Sequence, residues 1–212
     1  MKVIIAAILL IGTASAGCAQ RWPHVGVSDE LKMKPPERPC GVDRWDVKVL
    51  ADTAGILRDT VLTTVEAQAR IVLPPQKGWE SRGRDLSEDT PYIITGYIVG
   101  GCEESDHDYH LELVDSVGGI NRMIIEIPSP NCPGAEPHRA EYGSARLTAD
   151  SMFKKKITWR NLRALPFPVH VRVIGFGFND DAEHGRPAHI KRTVWREIHP
   201  VLKIEVLNSK KE

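Results

Sequence analysis

From residue 91 onward the apolar positions repeat with the period of strands. "YIITGYIVG" (92–100) is a nearly continuous apolar run with a glycine inside it, the pattern of a buried strand. "DYHLELVD" (108–115) alternates, so Tyr109, Leu111 and Leu113 share one face and Asp108, His110 and Glu112 the other. "GG" (118–119) marks a turn. "RMIIEIPSP" (122–130) is the next strand, ended by prolines, with Glu126 opposite Met123, Ile125 and Ile127. "ARLTADSMFKKK" (145–156) predicts a helix that turns Leu147, Met152 and Phe153 to the core. "FPVHVRVIGFGF" (167–178) is a long strand with glycines at 175 and 177, and "WREIHPVLKIEVL" (195–207) is the last strand. There Ile198, Leu202 and Ile204 point one way, and Trp195, Glu197, His199 and Val201 the other, provided Pro200 leaves the register unshifted.

The element order over 91–207 is therefore strand, strand, strand, helix, strand, strand. It predicts a mainly β fold, an OB-like five-stranded barrel carrying an N-terminal extension. The glycine of the first strand and those of "GFGF" allow the two sharp bends that a small barrel needs. An open α+β sandwich with the same element order is the competing architecture. Residues 40–90 are expected to pack on the barrel. Within them "RWDVKVL" looks strand-like, and Val61, Leu62, Val65 and Ala69 fall near helical spacing until Pro74 stops the run. Residues 76–90 read as a loop, 17–39 as a polar, proline-rich tether, and 208–212 as a tail.

The first 16 residues read as a targeting signal: Lys2, the apolar run "VIIAAILLIG" and the A-x-A site "ASA". Export to the periplasm or medium is the expectation. A lipid-anchored envelope protein is the alternative, because Cys18 stands where a lipidated cysteine would, although Ser15 holds the position such signals usually give to Leu. Without the signal the chain has 27 basic and 28 acidic residues, a balance that gives nucleic acid no support as a partner. Four cysteines in an oxidising compartment allow three pairings. Cys40 and Cys132 both sit among turn residues and form the favoured pair, Cys102 is a candidate free thiol, and four unpaired or heterogeneously paired cysteines are the bland alternative.

Chemistry, if present, sits on the polar faces. His110, Glu126, Glu197 and His199, with Asp180 and His184 from the loop "NDDAEHGRPAH" (179–189), can approach one another if that loop hangs over the outer face of strands two and three. Carboxylates and imidazoles so gathered suit a divalent metal such as Zn²⁺ or Mn²⁺, or a general base oriented by an acid. Each residue taken singly is better explained as a solvated strand position. Asp106, His107 and Asp108 in "SDHDYH" are further ligand candidates, of which Asp106 and His107 read better as turn residues. The chain lacks HExxH, CxxC, GxSxG and phosphate-loop motifs.

"CGVDRWDVKVL", "DHDYHLELVD", "MIIEIPSPNC", "VRVIGFGFND…HG" and "EIHPV" together resemble a family of exported bacterial proteins of unknown function. That family is marked by a Cys-Gly-Val-Glu-Arg-Trp start, D-x-D-Y-H-L, E-I-P-x-P-x-C, G-x-G-F-F-D-x-x-H-G and E-L-H-P-V. The resemblance spans roughly residues 40–205. It implies that Cys40 and Cys132 belong together and that Asp108, His110, Glu126, Asp180, His184, Glu197 and His199 are motif positions. The chain departs from the pattern at Asn179, which replaces an aromatic, and by one extra residue between Asp180 and His184, so Asp181 can take the place of Asp180. Three functions compete. The first is a ligand-binding module for an oligosaccharide, nucleotide or surface ligand. The second is a metal-dependent hydrolase, for which the arginines of the OB-barrel nucleases find no match beyond Arg172 and Arg186. The third is a purely structural exported domain.

Overall fold

The alternating segments fold as strands. In the computed structural model, which describes residues 40–41, 44–52, 59–71, 83–84, 87–158, 163–180 and 196–207, the chain is mainly β. Strands β1 (Val61–Thr63), β2 (Pro91–Glu103), β3 (Tyr109–Val114), β4 (Arg122–Ile127), β5 (Arg163–Asn179) and β6 (Arg196–Val206) form one six-stranded mixed sheet. β2 is long enough to serve three neighbours. It runs parallel to β1 at Tyr92–Ile94, antiparallel to β3 over Tyr97–Glu103, and antiparallel to β5 along most of its length. β3 and β4 are antiparallel, β4 meets β6 in parallel at Ile125 and Ile198, and β5 and β6 are antiparallel. The helices are α1 (Trp45–Lys48), α2 (Val65–Ala69) and α3 (Arg139–Met152).

One core collects the inward side chains predicted from the alternation: Tyr109, Leu111 and Leu113 of β3, Met123, Ile125 and Ile127 of β4, and Val171 and Val173 of β5. Each fully buried aliphatic side chain contributes about 1.5–3 kcal/mol by leaving water. α3 adds Tyr142, Ala145 and Ala149 to this core, and Val49 and Val65 enter it from the N-terminal segment.

Several expectations are corrected. "RWDVKVL" is not a strand: Trp45–Lys48 is a helical turn entered through Arg44 in a left-handed conformation. Its β-branched residues suggest extension, but tertiary anchors decide the conformation. The Trp45 indole donates to the Pro133 carbonyl at 2.6 Å, and the Tyr142 hydroxyl donates to the Val49 carbonyl at 2.9 Å. The helix expected from Val61 onward is split. Val61–Thr63 is a strand, and Thr64 then caps a five-residue helix by accepting from the Ala67 amide at 3.0 Å. α3 starts six residues before the expected point, and Leu147 on it is exposed, whereas Phe153 is buried and Met152 packs against the core.

The register in β6 also differs. Val201 lies in the core with Ile198 and Ile204, not beside Glu197 and His199. Gly177 pairs with Ile198 and Gly175 with Val201, so three steps on β6 match two on β5, and a second shift follows before Ile174 and Lys203. These bulges, at and after Pro200, turn Val201 inward. Gly175 and Gly177 permit the close fit: a methyl group on Gly175 would strike the Pro200 carbonyl, and one on Gly177 would strike the Arg196 guanidinium.

Cys40 and Cys132 form a disulfide with a Cα–Cα distance of 5.8 Å. Cys102, a candidate free thiol from sequence, is also disulfide-bonded. Disulfides are consistent with a non-cytoplasmic location. Among the described residues no helix is long and apolar enough to cross a membrane. The signal, the tether, the tail and Cys18 lie outside the described residues. The Cys40–Cys132 bridge closes a separation of 92 residues. Replacing both cysteines by serine should lower stability by about 2–4 kcal/mol, read from denaturant unfolding of the oxidised parent and the variant.

Candidate functional site

Register brings the chemistry together. In the β3–β4 ladder His110 stands directly opposite Glu126. The parallel contact of Ile125 with Ile198 places His199 beside Glu126 from the other side. Asp108 immediately precedes β3 and is held by the Ser129 amide, which donates to its Oδ1 at 3.1 Å.

The groups form an alternating row of carboxylates and imidazoles. His110 Nδ1 lies 2.9 Å from Glu126 Oε1 and 3.1 Å from Glu104 Oε1. His199 Nδ1 lies 2.8 Å from Glu126 Oε2, and its Nε2 lies 3.3 Å from Asp108 Oδ2. The His110–Glu126 contact is a hydrogen bond. The two His199 contacts have ion-pair distances without hydrogen-bond alignment, so Asp108 Oδ2 and both His199 nitrogens are buried with no hydrogen-bond partner among the described residues. Asp108 and His199 are completely inaccessible to solvent, and Glu126 is 5% exposed.

Burial this deep would neutralise isolated charges, but the charges face one another. For His199, burial opposes the proton, yet Glu126 and then Asp108 outweigh it and raise the imidazole to about 9. His110 is raised well above the usual imidazole range against the same burial, chiefly by Glu104. Glu126 is correspondingly held well below the carboxylate range: burial pushes it up, and His199 and His110 pull it down further. Asp106 is pushed up to about 7 by burial and by Asp108 and Glu104.

The N-terminal segment covers this row. Lys48 of α1 has its pKa raised, since Glu126, Asp106 and Asp108 outweigh its burial. Phe178 of β5 lies between the segment and the row: Arg44 and Lys48 lie over its ring at 4.9 and 5.4 Å, Val47 packs on it, and the His199 ring centroid is 5.5 Å away. A second polar network anchors the same segment. Arg44 donates twice to Glu88 at 2.7 Å, and Glu88 accepts from the Asn179 amide at 2.9 Å. Arg196 donates to Gln68 of α2 at 2.6 Å, to Ser87 Oγ at 2.9 Å, and also to Asn179 Oδ1 and the Ser87 carbonyl.

No protein-family model, curated protein or solved structure matches this chain. Function must therefore be read from the geometry.

Of the candidates named from sequence, His110, Glu126 and His199 come together. Asp180 is in electrostatic reach of Lys48. Glu197 is buried on β6 in register with Phe178. His184 lies outside the described residues, as do Asp181 and Trp195. Asp108, named from "SDHDYH" and implied by the resemblance, is a full member. Asp106 does serve its turn, accepting from the Asp108 amide at 3.2 Å, while His107 adopts a left-handed φ of 74°. Glu104, Lys48 and the Arg44–Glu88–Arg196 network were not visible in the sequence. For Glu104 the one available signal is the acidic run "CEESDHD" that leads into the His110 strand.

Raised imidazoles stabilise the fold while they hold their protons. For His199 that contribution is complete below the unfolded value of 6.5 and is lost as pH rises through about 9. Asp106 adds a decline of the same sign between its ordinary 3.8 and about 7. Chelator-treated protein should therefore lose on the order of 3 kcal/mol between pH 6.5 and 10. Urea unfolding across that range checks the slope, which should flatten in His199→Gln.

Proposed function

We propose that the chain is an exported OB-like domain with a structural, non-catalytic role: a rigid extracytoplasmic scaffold. The pairing of β2 with both β3 and β5, and the parallel contact of β4 with β6, support an OB-like ring of five strands with β1 added beside β2. The disulfides support export.

The observation that carries the structural role is the inaccessibility of every member of the row except Glu104. Asp108, His110, Glu126 and His199 meet one another and lie close to Lys48, and none is more than 5% exposed. A hydrolase base needs access to water and a pKa near the working pH. His199 at about 9 is protonated there, and Glu126 is committed to two imidazoles. The ligand-binding alternative uses the same outer face, where His110, Glu112 and Glu126 are all buried.

Two measurements test this reading. Glu88→Ala leaves the Arg44 guanidinium buried without its carboxylate and should cost about 3–5 kcal/mol. The same variant should expose residues 44–52 to limited proteolysis ahead of the sheet. Hydrolysis of a phosphodiester such as bis(p-nitrophenyl) phosphate in the presence of Zn²⁺ or Mn²⁺, abolished in His199→Gln, would overturn the structural reading.

A further inference from the structure

We propose that Asp108, Glu126 and His199 hold a divalent cation, Zn²⁺ or Mn²⁺, inside the fold. The scaffold role does not require an ion, so this goes beyond it. The three residues come from the turn before β3, from β4 and from β6, and one donor atom of each lies within 4.8 Å of the others. All three are buried.

The independent observation is the unsatisfied valence at this point. Asp108 Oδ2 and both His199 ring nitrogens are shut away from solvent with no hydrogen-bond partner among the described residues. Leaving a buried polar atom unsatisfied is costly, and one ion can meet Asp108 Oδ2 together with one of the two His199 nitrogens. The contacts at 2.8 and 3.3 Å show that the atoms are drawn together, although their alignment is not that of hydrogen bonds. A cation there would take one lone pair from each carboxylate and one from His199, which releases its extra proton to solvent on binding and keeps a hydrogen on its other ring nitrogen. Two carboxylates and one imidazole suit Zn²⁺ or Mn²⁺.

The surroundings are arranged as a ligand shell requires. The other oxygen of each carboxylate is already fixed: Glu126 Oε1 by His110 Nδ1 at 2.9 Å, a nitrogen that Glu104 Oε1 also approaches to 3.1 Å, and Asp108 Oδ1 by the Ser129 amide at 3.1 Å. Glu104, His110 and Glu126 form a second grouping of donors, but Glu104 is partly exposed and His110 Nδ1 is hydrogen-bonded to Glu126, so the ion belongs in the first. Lys48 also faces these carboxylates, as the counter-charge from α1.

The test uses mature protein purified without chelator. Mass spectrometry should find about one Zn or Mn per chain. Chelation should lower Tm by about 5–10 °C, and adding back the metal should restore it. Co²⁺ added to the stripped protein should give a visible d–d absorption band. Asp108→Asn should abolish the band and the stoichiometric metal, while its far-ultraviolet circular dichroism, matching the parent's, verifies folding. If Asp108→Asn fails to fold, the Co²⁺ band and the chelation shift of the parent decide alone. No metal after equilibration with Zn²⁺ and Mn²⁺, with Tm unchanged by chelator, overturns the ion. That result leaves the scaffold reading standing, provided Glu88→Ala still destabilises. A bound metal that also turns over a phosphodiester keeps the ion and overturns the scaffold.

Discussion

Glu126 sits in a strand with almost no access to water, and a buried carboxylate is stable only where opposite charge meets it. Much of the arrangement around β3, β4 and β6 follows from that constraint. The β3–β4 register must place His110 across from it, and the parallel contact of β4 with β6 must deliver His199 to its second oxygen. Each imidazole then needs a further carboxylate, which Glu104 and Asp108 provide. Breaking such a pair leaves an uncompensated charge, so the cost is set by the burial of the survivor rather than by the strength of one contact.

A charged outer face cannot be buried by the sheet alone. The N-terminal segment covers it, and it is fixed by means other than helix propensity: a helix of four residues is far too short to hold itself together. The disulfide, the Trp45 indole, the Tyr142 hydroxyl and the Arg44–Glu88 pair hold it instead. Asn179 ties the two polar networks together, its amide bonded to Glu88 and its side chain to Arg196. The extension is thus a structural part of the sheet's surface: Val49 and Val65 contribute to the core as directly as the strands do.

The strands and their inward residues were legible because a half-buried strand writes its face into the sequence with period two. Tyr109, Leu111 and Leu113 needed nothing more. The pairing of His110 with Glu126 was visible only as two polar faces, since register is not written locally. Val201 was misplaced because a bulge adds one residue with no change in composition, and Pro200 gives a hint without a direction. The extension was least legible. Arg44, Glu88 and Arg196 are ordinary charged residues in sequence, and their meaning comes from contacts spanning 44 to 128 residues.

The same geometry bears on what such a cluster can do. A catalytic acid or base works by changing its proton during turnover, which requires that its two states lie close in free energy. Here every neighbour favours one state: Glu126 is held ionised by two imidazoles, and His199 is held charged by two carboxylates. Groups pinned in this way are poor shuttles and good fasteners. They join β3, β4 and β6 to one another and to α1 above them, at a place where an apolar contact would hold the same elements without fixing their register.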